Sequence, residues 1–152
     1  MIYKHNTIKE KMESACKAGG LTFIFDTWNR ANKTVEIESR NSGGMIYPCA
    51  LMISTSVGNF QFMASGTHRQ ETVVLALFER TERDNTDMDY DIQQRMIERA
   101  GFLLTLIPEC GLEVVGESVR YTPFTDRLDE NVAGIMMELT IKDTTPEECK
   151  QW

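Results

Sequence analysis

The chain is poor in most of the residue patterns that announce a chemistry. Its four cysteines, Cys16, Cys49, Cys110 and Cys149, stand singly, with no C-x-x-C pair among them. The two histidines, His5 and His68, do not fall near a cysteine at zinc-ligand spacing. Isolated cysteines of this kind read as free thiols in a reducing compartment. No apolar run approaches the ~20 residues of a membrane span. The opening MIYKHNTIKEKM has no apolar segment of the kind a signal peptide needs, so the expectation is a cytoplasmic product. Basic runs are missing as well, and the net charge is −7. That balance disfavours a general nucleic-acid surface, because neutralising phosphates takes clustered Lys and Arg.

What is present is ordinary for one globular domain. The length of 152 residues suits a single core, with 41% apolar and 26% charged residues. That core is expected over about residues 5–143, followed by a polar tail, 144–152. The first helix is marked at both ends. Thr7 and Glu10 have capping-box spacing, Ile8, Met12, Ala15 and Cys16 form a narrow apolar stripe, and Gly19 and Gly20 supply the stop. Leu21, Phe23 and Phe25 then alternate with Thr22, Ile24 and Asp26. Across NRANK, Val35 and Ile37 alternate with polar residues, which predicts a hairpin. MIYPCALMI reads as a third strand, with Pro48 placing it at an edge or a bulge. Residues 54–70 read as a loop around NFQFM.

ETVVLALFER is apolar on both sides, the mark of a central strand covered twice, by helices or by a neighbouring subunit. Thr86 and Asp89 again have capping-box spacing. Ile92, Met96, Ala100, Leu103 and Ile107 then make the stripe of a long helix that Pro108 ends. LEVVGESVRYT reads as a strand bulged at Gly116. In NVAGIMMELTIKD every odd position from Ala133 to Ile141 is apolar, predicting a last strand with one buried face. The element order implies an α+β fold, with a mostly antiparallel sheet of five to six strands packed against an N-terminal helix and one long helix.

Catalytic, cofactor and metal sites find no support in the motifs. NSGG and KAGG lack phosphate-loop and dinucleotide spacing and read as turns and caps. His68, in SGTHRQE, reads as an exposed loop residue. Asp126, Asp129 and Glu130 lack the alternating acids and central glycine of a calcium loop, so they read as a solvated acidic loop. The aspartates of DNTDMDYD sit where a helix N-terminus favours acids. Most of the nine methionines fall at core positions, among them Met12, Met96 and Met137.

Several phrases carry a resemblance. They are YPCALM, TVVLALFER, the Asp-rich TERDNTDMD before the long helix, and YTPFTDRLDENVAGIMMELTIKD, where a loop meets a strand through N-V-x-G. Together with the element order, over about residues 5–143, they resemble tailed-phage neck proteins of the tail-terminator or tail-completion kind. Similar small structural proteins occur in phages of gut Bacteroidetes, including crAss-like phages. The resemblance implies a non-enzymatic virion component without cofactor. It would form a homo-oligomeric ring that stacks on portal, neck or tail proteins and lets DNA pass through its channel without specific binding. Phe60, Phe62, Phe124, Asp126 and Arg127, in the two long loops, are the expected subunit or ring contacts. The alternative from the residues alone is a small α+β enzyme or ligand-binding domain with a pocket between sheet and helices.

Overall fold

A computed structural model describes residues 7–27, 47–53, 57–125 and 131–147. Two helices and seven strands run in the order α1 (Ile8–Ala18), β1 (Thr22–Asp26), β2 (Cys49–Ile53), β3 (Gly58–Met63), β4 (Gly66–Arg80), α2 (Thr86–Leu106), β5 (Leu112–Val114), β6 (Tyr121–Thr125) and β7 (Val132–Asp143). A 3₁₀ turn, Ile107–Cys110, follows α2. The fold is α+β with a mostly antiparallel sheet. Only β1 and β2 run parallel.

The sheet is built outward from one long pair. β4 and β7 are antiparallel from Gln70 opposite Lys142 to Arg80 opposite Val132. Each is flanked on its outer side by two short strands. β3 pairs with the start of β4 and β2 with its later half, while β6 and β5 pair with successive parts of β7. Alternation assigns the faces. Val73, Leu75 and Leu77 join Ala133, Ile135, Met137, Leu139 and Ile141 under the helices. Against them α1 buries Ile8, Met12, Ala15 and Cys16, and α2 buries Ile92, Met96, Ala100 and Leu103. On the reverse face, Cys49, Leu51, Ala76, Phe78, Phe124 and Val132 form a second cluster, with the Tyr47 ring edge-on to Phe78 at 6.4 Å. β4 is thus buried on both faces within one chain and needs no neighbouring subunit for that.

Several local expectations are corrected. Residues 58–70 are a hairpin, β3 returning into β4 through Ala64 and Ser65. The Ser, Thr, Gly and Asn content of that stretch hid the strand. Pro48 precedes β2, which lies between β1 and β4 rather than at an edge, so its missing N–H removes no ladder bond; its carbonyl accepts from the Thr22 N–H at 3.0 Å. The strand expected through Gly116 is two strands, because Gly116 takes a φ of 108° and the chain turns between β5 and β6. α2 is capped by Asn85, which accepts from the Met88 N–H at 3.0 Å, and not by Thr86. Asp89 instead accepts from the Thr81 hydroxyl at 2.6 Å. The predicted strand over 34–40 lies outside the described residues.

Two constraints close the structure. Gly134 faces Phe78 across the ladder, and a Cβ there would run into the backbone of Leu77 and Phe78. Only glycine lets β7 approach β4 so closely. At the far end of β7, Asp143 is buried and ion-paired with Lys11 of α1 at 2.6 Å. The start of the expected polar tail is also held: Glu147 donates its N–H to the Thr67 carbonyl at 2.7 Å and pairs with Arg69 at 2.6 Å.

Gly134→Ala is expected to cost at least about 2 kcal/mol in urea unfolding, since the relief must come from backbone rather than a flexible side chain. Burial pushes the Cys16 thiol up to about 12, helped by Cys110 and Glu13 nearby, and burial with Glu79 does the same for Cys49. Iodoacetamide at pH 8 is therefore expected to leave both unlabelled in the native chain, read by peptide mass mapping. The raised values also mean that these thiols favour the folded state below pH 9. That contribution is lost as pH climbs from 9 towards 12.

Candidate functional site

The hairpin is the chain's most exposed apolar feature. Every residue of β3 is exposed, including Phe60 at 62% and Phe62 at 84%. Among the described residues, β4 is the only strand paired with β3. The Thr72 N–H donates to the Val57 carbonyl at 3.2 Å. Ladder alternation from that bond turns the N–H and C=O of Gly58, Phe60 and Phe62 away from β4. The outer edge of β3 thus offers backbone hydrogen bonds and carries no charge, whereas sheet edges are commonly blunted with lysine or proline. Phe60 and Phe62 sit opposite Arg69 and Thr67 and so share the helix-side face of the sheet, beyond the cover of the helices.

The base of this hairpin is rigidly tied. His68 is 4% exposed, contrary to the exposed loop histidine expected, and both ring nitrogens are engaged. Nδ1 lies 2.8 Å from the Asp143 carbonyl oxygen, which can only accept, so Nδ1 carries the proton. Nε2 then accepts from the Ser65 hydroxyl at 2.8 Å. A serine hydroxyl on an oriented imidazole is the geometry of an activated nucleophile. Here the same bonds close the Ala64–Ser65 turn and join it to the end of β7. Asp143 links onward to Lys11 and α1, so the hairpin is braced against the helix layer.

On the opposite edge, at the same end of the sheet, lies an open cleft of about 690 Å³. Its floor and walls are Ile97, Ala100, Gly101 and Leu104 of α2, with Val119 and Tyr121 from the β5–β6 side. The rim carries Glu113 and Glu117. Ser65 and His68 are not part of it. Gly101 is what opens it: a Cβ there meets nothing within 4 Å. Sequence reasoning missed this cleft because it forms between elements far apart in the chain. The one local signal was a glycine inside a helical stripe.

Of the expected contact residues, the structure brings Phe60 and Phe62 together and separates Phe124 from them. Phe124 was expected on an exposed loop but is 5% exposed in β6, packed opposite Gly134 on the reverse face. Its ring takes the room that the glycine leaves. Asp126 and Arg127 lie outside the described residues, as do Asp129 and Glu130. Among the described residues no group of three His, Cys, Asp or Glu side chains is placed to hold a metal ion, and no helix is long and apolar enough to cross a membrane.

The two phenylalanines should separate in stability measurements. Phe124→Ala is expected to cost about 3–5 kcal/mol, as for a buried aromatic. Phe62→Ala should stay within about 0.5 kcal/mol of the parent. Chemical unfolding of the two variants checks both values, and equal losses would remove Phe62 from the surface. Comparison with models of known protein families and with curated proteins finds no match to this chain.

Proposed function

We propose that the chain is a structural subunit that assembles with copies of itself. Its setting, from the phrases it shares with tail-terminator and tail-completion proteins, is a ring at the neck or the head-proximal end of a tailed-phage tail. The observation that carries the reading is the β3–β4 hairpin, two exposed phenylalanines on an uncharged open edge held rigid by His68 and Asp143. Exposed apolar surface rimmed by polar residues marks interaction sites, and an open strand edge is a template for pairing. A rigid base lowers the ordering cost when the hairpin docks. The net charge of −7 suits a lumen through which DNA slides without sticking. Function in this reading is geometric: subunits that close into a ring present one rim to the portal side and the other to the tail.

The cleft favours a second reading, a domain that takes a small apolar ligand, because its volume lies in the usual range for such pockets. Electron microscopy of the purified chain, alone and with the portal and tail proteins encoded beside it, separates the two. Closed rings with an open channel, lost in Phe62→Asp, are the expected result. A chain that remains monomeric in every mixture and binds a metabolite in the cleft supports the second reading and removes the first.

A further inference from the structure

The hairpin and the cleft are a projection and a recess on opposite edges of one sheet. β3 flanks β4, and β5 and β6 flank β7, so three strand spacings, roughly 14 Å, separate the β3 edge from the β5 edge. The two features are level along the strands. The hairpin occupies the start of β4, whose partner residues are the last of β7, and β5 pairs with those same residues, Ile141 to Asp143. They also lie on the same face, since Phe60 and Phe62 project to the helix side and the cleft is walled by α2.

Resting on the self-assembly reading above, we propose that the β3–β4 hairpin of one copy seats Phe60 and Phe62 in the α2–β5–β6 cleft of the next copy. Three observations select a second copy as the occupant. The first is charge. Residues 57–70 contain no acidic side chain and one arginine, Arg69, in a chain of net charge −7, whereas the cleft rim carries Glu113 and Glu117. An acidic protein meets its own copy with least repulsion where one side of the contact has no acids. The second is Gly101. A helix-interior glycine costs about 1 kcal/mol against alanine, and nothing inside the chain uses the space it leaves. That space is open to a side chain from outside. The third is fit. The recess is apolar along its α2 wall and large enough for two aromatic rings, which are the anchors that interfaces favour.

A projection on one edge and a recess on the other make a head-to-tail contact. Repeated, such a contact closes into a ring or runs on as a filament, and never stops at a two-fold dimer. Pairing of β3 with β3 of a second copy would stop there.

The experiment uses two full-length variants, Phe62→Asp, which spoils the projection, and Gly101→Trp, which fills the recess. Light scattering after gel filtration reads their assembly, and circular dichroism reads their folding. Each variant alone is expected to be monomeric, with association weakened at least about thirtyfold, the loss of one anchoring aromatic. A one-to-one mixture is expected to form a heterodimer, because one intact hairpin meets one intact cleft. Gly101→Leu serves as the smaller plug if Gly101→Trp does not fold. Normal assembly of a folded plug variant overturns the hairpin-in-cleft contact while leaving self-assembly standing, and so does a mixture that stays monomeric. A parent chain that is monomeric at every attainable concentration, alone and with its neck partners, overturns both.

Discussion

Everything in this molecule hangs on the antiparallel pairing of β4 with β7. These are the two longest strands, and every other strand either pairs with one of them or, like β1, with a strand that does. Their odd positions supply the floor on which both helices pack, and their even positions start the reverse-face cluster. The close passage at Gly134 sets how tightly the pair can come together. A sheet nucleated this way is dominated by contacts distant in sequence, since some sixty residues lie between the paired segments. The helices are accessory in this sense: their stripes are too narrow to hold them without that floor.

The features that bear on function are what this pair leaves over at its margins. β4 begins before its pairing with β7 and the excess folds back as the β3 hairpin, carrying apolar side chains past the helix layer. β7 is longer than either strand on its outer side, and the chain that joins β5 to β6 stands away from α2 and leaves the cleft. The buried run from Ser65 through His68 and Asp143 to Lys11 connects one margin to the helix layer. Buried polar groups satisfied this fully hold one geometry, so the hairpin is presented as a fixed shape.

Strong periodicity was legible wherever it existed. The α2 stripe, the odd-position face of β7 and the central place of β4 were all predictable from spacing, because burial on one face demands period 3.6 or 2 regardless of what supplies the other side. The hairpin was not legible as a strand. Both of its faces are wet, so selection for burial left no alternation in GNFQFM. Phe124 was misplaced for the complementary reason. Its neighbours Thr122, Pro123, Thr125 and Asp126 are polar or turn-forming, and nothing local reveals that Gly134 opposite has left a space for its ring. His68 was misread because its partners, Ser65 and the Asp143 carbonyl, include one that is far away in the chain.

The sequence by itself determined the α+β class, the element order and which face of each long element is buried, since these follow from side-chain periodicity and from local caps and breakers. Only tertiary structure decided which phenylalanine is exposed, where the glycine clearance falls, and that an apolar projection and an apolar recess share one end of the sheet. Those depend on distances between residues remote in the chain, which no local pattern encodes.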